Sequence, residues 1–134
     1  MSVLQKELTL IGSKGRTRRV ALFDSGASYS IIRRDIAEAI AALEPLPDPE
    51  NWIFETARKG DLIEAHDHVM LAFRFDDSEA RFTDEFVVFD ECTEEVVIGA
   101  KTLQAWHIKL DFEREEIVYR KTAEKLRLLS VGAV

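Results

Sequence analysis

The sequence predicts one mainly-β domain, a closed barrel or sandwich with one or two short helices, and three features predict it. Apolar residues alternate with polar ones in several short runs, turn-forming residues separate those runs, and only one stretch carries firm helical spacing. A chain of 134 residues has the length of a single domain. It can bury roughly two-thirds of its unfolded surface, so folding requires neither a disulfide nor a metal. No internal repeat, linker or low-complexity segment divides it, and the single-domain reading covers 1–134, with a core at about 4–119 and a tail at 120–134.

Leu8 and Leu10 alternate with Glu7 and Thr9, the pattern of a half-buried strand. Gly12-Ser13-Lys14-Gly15 supplies a turn, and 16–23 returns as a second strand that ends in the apolar run Val20-Ala21-Leu22-Phe23. Asp24-Ser25-Gly26 then breaks it. Ile36, Ile40 and Leu43 recur at helical spacing among Ala37, Ala39, Ala41 and Ala42, and Asp35 and Glu38 suit the positive end of a helix. Pro45, Pro47 and Pro49 stop that helix.

Further on, 52–56 and 62–65 read as strands flanking the turn Lys59-Gly60-Asp61, a predicted hairpin. Val69, Leu71, Phe73 and Phe75 alternate, Asp76-Asp77-Ser78 turns the chain, and 82–89 returns it. A short strand at 95–98 closes on Gly99, and 101–106 makes one or two helical turns. Ile108, Leu110 and Phe112 alternate again before Glu113-Arg114-Glu115 turns into 116–119. The stretch 121–129 is expected to be helical, with Leu126 and Leu129 on one side.

Composition narrows the function. A net charge of −7 argues against nucleic acid, which needs clustered Lys and Arg, and the group Lys14, Arg16, Arg18 and Arg19 reads as a hairpin rim. The lone Cys92 allows no intrachain disulfide and fits a reducing compartment; Glu91, Glu94 and Glu95 around it would make it a poor nucleophile. No apolar run approaches the roughly 18 residues of a membrane span, and no secretory leader opens the chain, so a cytoplasmic location without membrane partners is expected.

His66 and His68 would share one face of a strand with Asp67 on the other, but no third and fourth metal ligand accompanies them. They read as exposed strand residues, and neither metal nor other cofactor is expected. His107 stands alone, and Asp111, with no Gly after it, reads as a solvent-facing strand residue.

Strand logic fails at Asp24-Ser25-Gly26-Ala27. An acid directly after four apolar residues sits at the edge of a core, where its chemistry can be tuned, although Asp, Ser and Gly are also ordinary turn-formers. The surroundings add meaning: Leu22-Phe23-Asp24-Ser25-Gly26-Ala27-Ser28 is followed by Ile31-Ile32, and Val97-Ile98-Gly99 precedes the short helix around Lys101-Thr102-Leu103-Gln104-Ala105-Trp106. These segments resemble the active-site loop and the C-terminal element of the retropepsins, the retroviral-type aspartic peptidases. The strand pair containing Ile108-Lys109-Leu110-Asp111-Phe112 and Ile117-Val118-Tyr119 is similar to the one that closes their bacterial and cellular single-domain members. The resemblance runs from about 8 to 119.

The resemblance implies a closed acid-protease barrel with one lobe per chain and Asp24 as the catalytic residue. Ser25, Gly26 and Ala27 would support the loop: the Ser25 hydroxyl would bond across to a partner loop, and Gly26 lets two loops approach closely. Because the chain holds one such loop, the second aspartate must come from an identical subunit. Two carboxylates near contact share one proton, so one can act as base on a water while the other polarises a peptide carbonyl. Ala27 cannot donate a hydrogen bond as a hydroxyl would, which implies a working range of about pH 5–7. The hairpin around Arg58, Lys59, Gly60 and Asp61 takes the place of the family's flap over an extended peptide. The alternative is a catalytically silent module of the same fold that binds peptides or dimerises.

Overall fold

A computed structural model of the chain describes residues 3–55 and 62–123. Strand β1 (Leu4–Ile11) turns Leu8 and Leu10 fully inward and leaves Glu7 in solvent. It forms an antiparallel hairpin with β2 (Arg16–Phe23) over every position from Leu4 opposite Phe23 to Ile11 opposite Arg16. Next come β3 (Ser30–Arg33), helix α1 (Arg34–Ile40), the two-residue β4 (Glu44–Pro45) and a 3-10 turn (Pro49–Asn51). The short strands β5 (Ile53–Glu55) and β6 (Leu62–Glu64) pair with each other, and β7 (Asp67–Arg74) pairs with β8 (Phe82–Phe89). The chain then makes β9 (Val96–Ile98), α2 (Ala100–Ala105) and the small pair β10 (Lys109–Asp111) and β11 (Glu116–Val118).

Six of these strands close on themselves in the order β1-β2-β9-β3-β8-β7, because β7 returns to pair with β1 through Thr9–Arg74, Leu10–Phe73 and Ile11–Ala72. The barrel is mixed: β9 runs parallel to β2 and antiparallel to β3, and β3 runs parallel to β8. The expected mainly-β closed barrel is therefore the architecture observed. Its interior is packed with Phe23, Phe73, Phe75, Phe82 and Phe86, whose rings meet at centroid separations of 5.3 Å (Phe73–Phe82) to 6.4 Å (Phe73–Phe86). A second cluster of Leu46, Ala65, Val87 and Phe89, with Tyr29, Trp52, Phe54 and Ile63 against it, lies beneath the β5–β6 pair.

Several local expectations need correction. Helix α1 ends at Ile40, so Leu43 lies beyond it and the prolines do not stop it. Ala41 turns extended (φ −156°, ψ 161°), and the Lys14 N–H of the β1–β2 turn takes the Ile40 carbonyl at 2.8 Å. Strand β10 ends at Asp111 because its carboxylate accepts the Arg114 N–H at 3.2 Å, which puts Phe112 in the turn, 42% exposed. His66 precedes β7, and His68 is half-buried against Glu85, its Nδ1 2.5 Å from Oε2. Strand β3 went unread in the sequence. Residues 121–123 are not helical, and the rest of the expected terminal helix lies outside the described residues.

After β11 the chain is fastened to the β7–β8 turn. The Tyr119 ring stacks on Phe75 at 3.7 Å, its hydroxyl donates to Asp77, and Lys121 Nζ lies 2.6 Å from Asp77 Oδ2. The Lys121 ammonium, aided by Tyr119, lowers the Asp77 carboxyl from its ordinary 3.8 to about 2. A depressed folded value contributes stability above the unfolded value and loses it as pH falls through the folded one. The stability gap between the wild-type chain and Asp77→Asn should thus be constant above about pH 4 and close towards about pH 2, as read by thermal unfolding across that range.

Candidate active site

Strands β2 and β3 are consecutive along the barrel wall but not adjacent, because β9 lies between them. The intervening loop 24–29 must cross two strand spacings, roughly 10 Å, over the end of β9. Asp24 is the first residue of that loop. Its N–H continues the β2–β9 ladder onto the Ile98 carbonyl at 3.0 Å. The chain then turns sharply: Asp24 accepts the Ala27 N–H on its carbonyl at 3.1 Å and the Gly26 N–H on Oδ1 at 2.8 Å. This is an Asx turn, the local chemistry expected of Asp followed by Ser and Gly.

The turn holds the Asp24 carboxylate half-buried, with Ser25 and Gly26 exposed at the surface. No ion pair reaches it among the described residues. Oδ1 is occupied by a backbone donor and Oδ2 makes no hydrogen bond there.

The loop is fixed from below by α2. The first N–H groups of a helix have no partner within it. Here the Ala100 N–H donates to the Ala27 carbonyl at 2.7 Å and the Lys101 N–H to the Ser28 carbonyl at 3.2 Å, so loop and helix satisfy each other. Beneath them the fully buried Ser30 hydroxyl accepts the Gly99 N–H at 3.0 Å and lies 2.5 Å from Thr102 Oγ1. Gly99 is required by contact: a Cβ there would stand 2.8 Å from the Ala27 carbonyl oxygen and closer still to that of Tyr29.

Two surfaces flank the loop. On one side the Tyr29 ring packs against Trp52 at 5.2 Å and Phe54 at 5.9 Å, with Lys101 Nζ 4.4 Å above it. This joins the loop to the base of the β5–β6 pair. On the other side a cleft of about 490 Å³ opens from Ser25 across Leu103 and His107 to Leu110 and Phe112.

Asp24, Ser25, Gly26 and Ala27 thus form one tight surface turn; Gly99 and Ala100 of the second sequence segment lie directly against it, and Thr102 meets Ser30 below. Arg58, Lys59, Gly60 and Asp61 lie outside the described residues; the strands on either side, β5 and β6, pair as expected of a hairpin. Asp111 caps a turn, and no described contact joins it to the loop. Sequence reasoning missed Tyr29, Trp52 and Phe54 as a unit, and the buried Ser30–Thr102 contact. Ser30 carried a faint signal, as the one polar residue directly before Ile31-Ile32.

Two substitutions test the support. Gly99→Ala should cost about 1–3 kcal/mol, because the added methyl meets backbone that cannot rotate away. Thr102→Val keeps the shape but removes a hydroxyl partner, and should cost about 1 kcal/mol. Denaturant unfolding measures both. If Gly99→Ala were neutral, the loop would not rest on β9 as described.

No protein-family model matches the chain, and no curated protein matches it by sequence. Solved structures do match. The crystal structure of the retroviral protease-like domain of Ddi1 from Leishmania major superposes with a TM-score of 0.61 at 16% identity, covering 89% of this chain and 89% of that one. Identity at that level shows fold alone. The closed six-stranded barrel, the loop carried over β9 and this likeness agree: the chain has the retropepsin-like fold.

Proposed function

We propose that this chain is one half of a homodimeric aspartic endopeptidase acting on extended peptides or unfolded protein. The observation that carries the reading is the Asp24 turn itself. An acid with no ion-pair partner among the described residues sits on an exposed Asp-Ser-Gly turn, in a loop tied by three backbone bonds to strand β9 and helix α2 behind it.

In the dimer, two such turns face each other across a twofold axis, and Gly26 leaves room for the approach. The two Asp24 carboxylates hold one proton between them. The ionised one takes a proton from water as the water oxygen attacks the peptide carbonyl carbon, and the protonated one gives its proton to the carbonyl oxygen. The tetrahedral diol then collapses: the C–N bond breaks, the protonated carboxyl gives its proton to the amine nitrogen, the other carboxylate takes one from a diol hydroxyl, and the pair again holds a single proton. Ser25 would bond across to the partner turn. Arg58, Lys59, Gly60 and Asp61 would cover the substrate, which would pair through its backbone as an added strand.

The cleft beside Ser25, with half-exposed Phe112 at its edge, supports a second copy as the covering surface, because large exposed apolar groups beside a cleft mark contact sites. The free Cys92 is in keeping with a reducing cytoplasm. Among the described residues no helix is long and apolar enough to cross a membrane.

Cleavage of an unfolded protein should fall by about 100- to 10,000-fold in Asp24→Asn, while sedimentation still reports a dimer. Phe112→Asp should weaken the dimer by roughly tenfold or more and reduce activity in step, an effect that raising the protein concentration reverses. A wild-type dimer that never cuts would instead identify a silent peptide-binding module. A monomer at all concentrations would remove the dyad altogether.

A further inference from the structure

The outer face of the β2-β1-β7 wall carries a second feature, at the opposite end of β2 from Asp24. Eight residue steps of extended chain lead from Arg16 to Asp24, about 26 Å, so this feature is not part of the loop region. Register places the basic residues side by side: Thr9 on β1 lies between Arg18 on β2 and Arg74 on β7, and Ile11 lies beside Arg16. A cleft of about 200 Å³ opens there, lined by Thr9, Ile11, Arg16, Arg74, Phe75 and Asp76.

The charges in this cleft are unequally matched. Arg18 reaches Glu7 Oε2 at 2.5 Å and also holds Asp76, so the one carboxylate of the lining is already neutralised. Arg16 makes no ion pair or side-chain hydrogen bond among the described residues. Among the described residues, half-buried Arg74 reaches only the Ser78 carbonyl, at 3.4 Å, and its buried Nε has no partner. Buried donors in folded proteins are almost always satisfied, and a guanidinium fork suits a planar or tetrahedral oxyanion. In a chain of net charge −7, two guanidinium groups with no carboxylate of their own line one cleft.

We infer that the Arg16–Arg74 cleft is a binding site for a small oxyanion, a phosphate or carboxylate group, held by both guanidinium groups with the Thr9 hydroxyl in reach. The occupant would bridge β2, β1 and β7. It would lie on the seam that closes the barrel, which rests on the three residue pairs from Thr9–Arg74 to Ile11–Ala72. Binding there favours the folded state by mass action, so the site couples anion concentration to barrel closure. The reading is independent of the peptidase proposal.

The experiment titrates the full chain with inorganic phosphate and, separately, with succinate, at constant ionic strength. It follows the Arg Nε–H resonances by 15N NMR and the unfolding temperature. Saturable shifts of the Arg74 Nε–H are expected, with affinity at least about tenfold weaker in Arg16→Gln and in Arg74→Gln. Arg81→Gln, which removes the same charge from another part of the surface, should bind as the wild type does. Response to phosphate, succinate or both assigns the oxyanion class. Absence of a saturable Arg74 shift with both ligands overturns the proposal, as does an equal loss of affinity in Arg81→Gln. Should Arg74→Gln fail to fold, the exposed Arg16→Gln variant decides alone.

Discussion

The structure depends on the insertion of β9 between β2 and β3. A three-residue strand, paired in parallel with one neighbour and antiparallel with the other, keeps those two neighbours apart and sends the loop 24–29 over its end. Everything distinctive about the candidate site follows from that crossing. The loop must be tight, so it begins with an Asx turn. It must rest on something, so its carbonyls meet the unsatisfied N–H groups of α2. And β9 must be followed by a residue with no side chain, because two loop carbonyls occupy the space where a Cβ would stand.

Polar contacts are placed where this arrangement would otherwise leave donors and acceptors unmet. Ser30, Thr102 and the Gly99 N–H form a closed buried group, which a hydrophobic substitution at any one point would leave incomplete. The barrel interior needs no such device. Its aromatic side chains interlock by shape and area, and the chain beyond β11 is drawn onto them by the Tyr119–Phe75 stack.

The two ends of β2 thus do different work. Loop 24–29 presents an acid freed of ion pairs above a rigid base. The Arg16–Arg74 cleft, at the other end of β2, presents two guanidinium groups with no ion pair among the described residues. Elsewhere on the surface Arg34 joins Asp67 and Asp90, and Arg19 joins Glu95. Ion pairs on an exposed surface contribute little stability, so their absence at two places matters less for folding than for what could bind there.

Much of this was legible in the residues themselves. Alternation at Leu8/Leu10 and from Val69 to Phe75 announced strands, because one barrel face is always buried and a period of two is the only pattern that serves it. The Asp24 turn was legible because Asp, Ser and Gly have few other uses directly after a buried strand. What local pattern could not supply was partnership over distance. Ser30 meets Thr102 across 72 positions of chain, Thr9 gathers Arg18 and Arg74 from two different strands, and helix α1 stops three residues early because the β1–β2 turn captures its last carbonyl. The sequence by itself determined most of the strands, the turn chemistry and the position of the half-buried acid. Only tertiary structure decided which strand lies between which, and therefore which distant groups satisfy that loop and which arginines stand without an acid: those pairings are set by barrel closure, a property of the whole chain that no local window contains.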